Sequence, residues 1–305
     1  MNHITLNEVG MRDGLQSLRS IMPTAAKLKW IDMAYEAGVR HMEVASFVPA
    51  KRLPQMADAD AVVAHALAFA DLTVTVLAPN LHGAQAALAS GAQRIIVPVS
   101  VSAAHSLSNV RRSPEQMVEA FARMCELRDQ AGHPVTMIAG MSTAFGCTLQ
   151  GQVPLHDLLA LTAKVVQAGC DIVSLADTTG HATPGQVERT LQAVRAVAGD
   201  KLRSVHFHDT RGQALANSLV AVQHGIRELD ASLGGIGGCP FAPGVSGNAV
   251  SEDLVFMLEG MGFRTGIDIE RLLACRKAVE TSLPGEQLHG HLARAGLPRR
   301  VPTFA

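Results

Sequence analysis

Ser204-Val205-His206-Phe207-His208-Asp209-Thr210-Arg211-Gly212-Gln213-Ala214-Leu215-Ala216-Asn217 is the stretch on which the fold turns. Ser204 to Phe207 reads as a strand, Gly212 to His224 as a helix, and histidines and an acid stand where one passes into the other. A strand that ends in polar side chains and runs on into a helix is the repeating unit of a parallel α/β fold. The unit recurs along the chain. Further strands are predicted at Ile4–Val9, His41–Ala45, Leu72–Leu77, Arg94–Val99, Val135–Ala139, Ile172–Leu175 and Glu228–Ala231. Helices are predicted at Thr24–Ala37, Gln55–Ala70, Leu81–Ala89, Pro114–Ala131, Leu155–Gln167, Pro184–Val197 and Val250–Met261. Pro114 opens one helix and Gly132 lies past its end, the usual asymmetry of helix termini. Eight βα units in 305 residues, with no long linker, predict an α/β chain closed into a (β/α)8 barrel over residues 1–266. An open doubly wound sheet is the alternative, but no GxGxxG follows the first strand. Residues 267–305 are read as a short C-terminal helical extension packed on the barrel. It holds one helix, Ile269–Thr281, and a Pro- and Gly-punctuated tail expected to be partly disordered.

Composition narrows the function. Apolar residues make up 48% of the chain, enough for a large core, and 26 basic residues face 27 acidic ones. No Lys/Arg cluster is interleaved with aromatics, so neither a nucleic acid nor an anionic membrane is expected as a partner. The cysteines Cys125, Cys147, Cys170, Cys239 and Cys275 form no CxxC pair, which predicts neither a disulfide framework nor a structural zinc site. No apolar run is long enough to span a bilayer, and no targeting leader is apparent. A cytoplasmic protein of a reducing compartment is the expectation.

In a closed barrel the chemistry gathers at the C-terminal ends of the strands. Polar residues cluster there: Arg12-Asp13 after the first strand, Glu43 and Ser46 at the second, Asp177 after the sixth, His206 and His208 at the seventh. Residues i and i+2 of a strand share a face, so both imidazoles point into the barrel mouth while Phe207 packs outward. Asp13 can complete a facial Asp/His/His set, and Asn248 can add a carbonyl oxygen. Oxygen and imidazole donors without a thiolate favour Mg²⁺ or Mn²⁺, with Zn²⁺ or Co²⁺ as substitutes. Asp209 is read more simply, as the cap of the helix that follows. After the eighth strand comes Ser232-Leu-Gly-Gly-Ile-Gly-Gly-Cys239-Pro-Phe-Ala242. So many glycines exclude a helix or a packed strand and leave a loop that brings Cys239 to a reacting centre. The plainer alternative is a turn around an inert buried thiol.

With Asp13, His206, His208 and Cys239 on one mouth, the chain resembles the 3-hydroxy-3-methylglutaryl-CoA lyase family of metal-dependent TIM-barrel lyases, relatives of the isopropylmalate and homocitrate synthases. Val9-Gly-Met-Arg12-Asp13-Gly-Leu-Gln16, Glu43-Val-Ala-Ser46-Phe-Val48 running to Pro54-Gln-Met56, and His206-Phe-His208-Asp through Asn217 carry the resemblance. So do Ser246-Gly-Asn248 and Glu252-Asp-Leu254, and Gly237-Gly-Cys239-Pro-Phe-Ala242 narrows it to the lyases. It implies metal ligands Asp13, His206, His208 and Asn248, and catalytic roles for Arg12 and Cys239 with Glu43, Asp177 and Glu252 in support. Arg12, Gln16 and Ser46 are expected to touch the acyl-CoA substrate. The implied reaction is divalent-metal-dependent retro-Claisen cleavage of the thioester to acetoacetate and acetyl-CoA, a carbon–carbon lyase step of leucine catabolism and ketone-body formation. A homodimer or higher homo-oligomer is expected.

The chain also departs from the family pattern. Asn-Glu-Lys after Gln16 is replaced by Ser17-Leu18-Arg19, Ser-x-Ser-Glu by Ser100-Val-Ser102-Ala103, Asp-Thr-Tyr-Gly by Asp209-Thr-Arg211-Gly212, and Asp-Thr-Ile-Gly by Asp177-Thr-Thr179-Gly180. These changes rim the pocket and leave every ligand in place. They bear on the acyl group, with citramalyl-CoA or a longer-chain 3-hydroxyglutaryl-CoA as the alternative substrates. Arg12 is read as stabilising the enolate oxygen, with Glu43 orienting it or merely pairing with it. Asp177 is read as an orienting group or a plain helix cap. Arg19, Lys51, Arg52, Arg111 and Arg112 could form a basic rim for the CoA nucleotide, or be solvated surface charges.

Overall fold

Strands rich in β-branched residues and buried on both faces must be covered by helices outside and by one another inside, and a closed parallel barrel meets both demands. A computed structural model describes residues 2–237 and 247–299. Its strands are β1 (Thr5–Glu8), β2 (His41–Ser46), β3 (Thr73–Leu77), β4 (Arg94–Ser100), β5 (Thr136–Ser142), β6 (Ile172–Asp177), β7 (Leu202–Phe207) and β8 (Glu228–Ala231). They pair in sequence order, all parallel, and β8 closes on β1 with Thr5 opposite Glu228 and Glu8 opposite Ala231. The predicted (β/α)8 barrel is the observed architecture.

The outer ring comprises α1 (Thr24–Glu36), α2 (Ala59–Ala66), α3 (Leu81–Ala89), α4 (Ala103–Val110), α5 (Pro114–Asp129), α6 (Leu155–Gln167), α7 (Pro184–Ala198), α8 (Ala214–Gln223) and α9 (Ser251–Gly260). After it come α10 (Ile269–Ser282) and the four-residue α11 (Leu292–Ala295). Alternation sorts the strand residues. On β4, Ile95, Val97 and Val99 are fully buried, whereas Arg94 ion-pairs with Glu228 across the lumen at 2.7 Å. Phe207 lies outside the lumen, its ring 5.8 Å from that of Phe145. One continuous apolar cluster fills the space between strands and helices, with Trp30, Phe121 and Phe207 its largest wholly buried side chains.

Two helices differ from expectation. The predicted helix over 55–70 is broken into a 3₁₀ turn, Pro54–Met56, and α2. Asp58, at the break, points to α1 and binds Lys27 Nζ at 2.6 Å and the Thr24 hydroxyl at 2.8 Å. Conversely, α4 was not predicted, because its Ser-, Asn- and His-containing sequence has weak helix propensity. It forms on a local cap: the Ser102 hydroxyl accepts from the His105 N–H at 3.2 Å. Beyond the barrel, α10 packs against α1 and α9. The last residues of the tail, 300–305, lie outside those described.

Candidate active site

The chain leaves β1 in a five-residue π-turn, Gly10–Gly14, that carries Arg12 and Asp13. Such turns often mark functional positions, since the extra residue re-aims side chains that a regular helix would point elsewhere. Here Arg12 enters the mouth almost wholly buried. Its Nε and Nη2 donate to the two Glu43 oxygens at 2.6 and 2.7 Å, and Nη1 donates to Asp13 Oδ1 at 2.7 Å. Burial works against the Arg12 charge, but Glu43 and Asp13 more than offset it and hold the guanidinium above its ordinary range. A guanidinium has five N–H groups. The remaining N–H groups of Nη1 and Nη2 are not engaged by Glu43 or Asp13.

Asp13, His206 and His208 meet across the mouth, with one ligand atom from each lying within 4.8 Å of the others. Asp13 Oδ2 is 4.0 Å from His206 Nε2 and 3.9 Å from His208 Nε2. Those separations are too long for hydrogen bonds. They suit donors gathered about a shared cation, and one carboxylate with two imidazoles is a donor set that could hold a metal ion. Burial opposes ionisation of Asp13, yet Arg12, His206, His208 and the Asn248 amide together keep its carboxyl well below the usual carboxylate range. Burial, and then His206, push His208 down to about 4, so its imidazole is neutral and able to ligate at neutral pH. For His206, burial is outweighed by Asp230 and Asp13, and its affinity for protons is raised.

Asp230 on β8 was not singled out in the sequence. Its Oδ2 faces His206 Nδ1 at 3.2 Å, while Oδ1 accepts from Asn7 Nδ2 at 2.9 Å. A proton on Nδ1 shared with Asp230 leaves the Nε2 lone pair directed at Asp13. Asn248 stands beside the set: its Nδ2 donates to Asp13 Oδ2 at 2.8 Å and to the Ile236 carbonyl at 3.1 Å. Its Oδ1 is buried without a hydrogen-bond partner, the signature expected of an oxygen reserved for something the protein does not itself supply. Gln16 Nε2 donates to Asp13 Oδ1 at 3.2 Å, and the buried Ser46 hydroxyl has no protein partner. Arg12, Asp13, Gln16, Glu43, Ser46, His206, His208 and Asn248 therefore all lie at the mouth.

The remaining acids are engaged elsewhere. Asp177 spends both oxygens on backbone, accepting from His181 N at 2.7 Å and Ala182 N at 3.0 Å in the turn that precedes α7. Burial raises it to about 6. Asp209 caps α8 through the Ala214 N–H at 2.9 Å, as expected. Glu252 faces the backbone of Gly234 from below, and its environment raises it to about 7, chiefly by burial. Glu8, which the sequence did not mark, is 2% exposed. It accepts from Gly10 N and Leu233 N, each at 3.0 Å, and from the Ser251 hydroxyl at 2.6 Å, so it ties the π-turn to the segment after β8. Cys239 lies outside the described residues. Arg19, Lys51, Arg52 and Arg111 are exposed and Arg112 is half-buried.

The comparisons with known proteins agree with this geometry. Residues 3–279 match the HMGL-like family. The chain is 40% identical over 270 residues to the mitochondrial hydroxymethylglutaryl-CoA lyase of Mus musculus, covering 88% of this chain and 82% of that one. It is similar in structure to hydroxymethylglutaryl-CoA lyase from Pseudomonas aeruginosa, with a TM-score of 0.90, 36% identity, and 96% and 97% of the two chains covered. An HMG-CoA lyase from A. baumannii, solved in complex with coenzyme A and 3-methylmalate, superposes with a TM-score of 0.90 at 35% identity over 97% and 95% of the chains.

Proposed function

The chain belongs to the HMGL-like family, and from that premise we propose that it cleaves 3-hydroxy-3-methylglutaryl-CoA to acetoacetate and acetyl-CoA with the help of Mg²⁺ or Mn²⁺. The observation that carries the reading is the convergence of Asp13, His206 and His208 beside a guanidinium locked by Glu43. Asp13, His206 and His208 would hold the ion, with the unpartnered Asn248 Oδ1 as a further donor. A divalent ion supplies Lewis acidity there, lowering the pKa of an oxygen bound to it.

The residues of the chain manage the rest. Cleavage requires loss of the C3 hydroxyl proton, rupture of the C2–C3 bond, and protonation of the acetyl-CoA enolate that leaves. Negative charge develops on the thioester oxygen as the bond breaks. The N–H groups of Arg12 that Glu43 and Asp13 leave unengaged are suited to that oxygen, and because Glu43 fixes the fork in advance they need little reorganisation. Gln16 and Arg12 both hold Asp13 Oδ1, leaving Oδ2 toward the imidazoles. We assign the proton transfer to Cys239 on its sequence motif. The Ser46 hydroxyl, buried and unpartnered, is assigned to the acyl group.

Among the described residues no helix is long and apolar enough to cross a membrane. Cys125, Cys147, Cys170 and Cys275 are free buried thiols, which supports a reducing compartment, the cytoplasm being the one we propose. A homodimer or larger homo-oligomer is part of the proposal, as are leucine breakdown and ketone-body formation as the setting.

The test is incubation of metal-loaded protein with 3-hydroxy-3-methylglutaryl-CoA, citramalyl-CoA and a longer-chain 3-hydroxyglutaryl-CoA while acetyl-CoA release is followed. The methylglutaryl thioester should turn over fastest, chelation should abolish turnover, and Mg²⁺ or Mn²⁺ should restore it. Release from citramalyl-CoA alone would reassign the substrate, and full activity in metal-free protein would end the reading.

A further inference from the structure

We propose that Arg276, on α10 outside the barrel, is a positioning residue for the reaction, because it joins the two groups that grip the Gly234 peptide at the base of the loop after β8. The inference rests on the function proposed above. The Gly234 N–H faces both Glu252 oxygens at 3.2 and 3.1 Å, and the Gly234 carbonyl accepts from the His289 N–H at 2.6 Å. Arg276 bridges these two holders. Its Nε lies 2.8 Å from Glu252 Oε1 in a buried ion pair that lacks hydrogen-bond alignment, and its Nη2 donates to the His289 carbonyl at 3.3 Å. Glu280 Oε2, one turn further along α10, takes Nη1 at 3.4 Å.

The backbone at this point is held where only glycine fits. Gly234 has φ 62°, and a Cβ there would stand 2.7 Å from the Leu288 side chain. Leu288 and His289 belong to the segment that follows α10, so the chain beyond the barrel forms one wall of this grip. Two residues on, the Ile236 carbonyl accepts from the Ser232 hydroxyl at 2.6 Å and from Asn248 Nδ2 at 3.1 Å. The same Asn248 nitrogen donates to Asp13 Oδ2. Gly237 continues the path: it has φ 121°, and its Cβ would meet Asn248 Nδ2 at 2.5 Å. A shift of the Gly234 peptide is therefore transmitted through Ile236 to Asn248 and Asp13.

Arg276 is well suited to this task because a guanidinium has separate N–H groups for a carboxylate and a carbonyl at once, whereas an ammonium is a single point. Replacing it removes the link between Glu252 and His289 without touching Asp13, His206 or His208. Misplacement of a site by about 1 Å costs on the order of 100-fold in rate.

Kinetics of Arg276→Met, Arg276→Lys, Glu252→Gln and the Arg276→Met/Glu252→Gln double variant test the inference, each normalised to folded, metal-loaded protein. Arg276→Met should lower kcat by about 10- to 100-fold with little change in KM, and Arg276→Lys should fall between it and the wild type. The double variant should be slower than Glu252→Gln alone by clearly less than the Arg276→Met factor, because both residues act on the same Gly234 peptide. Wild-type kcat in folded Arg276→Met, a loss confined to KM, or multiplicative losses in the cycle would each overturn the assignment. If Arg276→Met does not fold, Arg276→Lys takes its place in the cycle, and wild-type kcat there is the refuting result. A wild-type protein that releases no acetyl-CoA would sink the proposed function. An active wild type with an unimpaired Arg276 variant would sink this inference alone.

Discussion

Arg12→Lys separates transition-state stabilisation from structural pairing. The arginine makes three short charged contacts, at 2.6 and 2.7 Å to Glu43 and 2.7 Å to Asp13, with Glu43 only 1% exposed. Lysine keeps the charge but loses the fork, so it cannot hold both Glu43 oxygens and Asp13 in the same geometry. One charge-assisted hydrogen bond lost at a buried carboxylate costs about 1.5–3 kcal/mol of stability. A donor lost from a developing oxyanion costs about 2.7–4 kcal/mol of barrier, on the order of 10²–10³ in kcat. Both losses should appear: a lower urea midpoint at unchanged m-value, and a fall in kcat that exceeds any rise in KM when acetyl-CoA release is measured at saturating metal. Destabilised protein with wild-type kcat and KM would refute the catalytic reading and leave Arg12 a structural partner of Glu43.

Asp230→Asn should weaken metal binding about 10- to 100-fold by titration calorimetry, because it loosens the tautomer and orientation of His206, and unaltered affinity would detach Asp230 from the centre. Glu8 predicts a pH dependence of stability. Its folded value of about 7 stands above the ordinary 4.5, so its contribution is complete below about pH 4.5 and is lost as pH rises through 7. That is worth about 3 kcal/mol, and Glu252, also raised to about 7, adds a slope of the same sign. Glu8→Gln should flatten the fall of urea-measured stability between pH 5 and 8, and an unchanged slope would remove Glu8 as its source. Cys239→Ser should bind metal normally and lose kcat by about 10²–10⁴-fold; near-wild-type turnover would move the proton transfer to another group.

Which parts of this site could be read from the sequence follows from the distance over which each signal acts. His206 and His208 were readable because strand periodicity is local: residues two apart share a face whatever surrounds them. Asp13 was readable because all strand ends of a parallel barrel open on one side. The helix over 55–70 was misjudged because what breaks it, the pull of Lys27 and Thr24 on Asp58, comes from α1. Asp177 has two readings in the sequence, since an acid at a strand end either orients a ligand or caps the following helix. The N–H groups of His181 and Ala182 claim both its oxygens and tie it to the turn before α7, short of the helix itself.

Asp230 and Glu8 were hidden for a deeper reason. Each is an acid in a short strand, outside the runs of residues that carry the resemblance, and each gains a partner from the far end of the chain only when the barrel closes. Asn7 and Asp230 stand 223 residues apart in the chain, and Glu8 and Leu233 stand 225 apart. Their contacts exist because β8 returns to pair with β1. Closure thus completes the sheet and, in the same step, gives Asp230 its Asn7 partner and joins the π-turn bearing Arg12 and Asp13 to the segment after β8. A barrel that failed to close would retain every residue of the family's motifs and the His206–Asp230 pair of neighbouring β7 and β8, yet leave Arg12 and Asp13 apart from the histidines. Perturbing the β1–β8 seam should therefore weaken metal binding, read by titration calorimetry, before it unfolds the remaining strands.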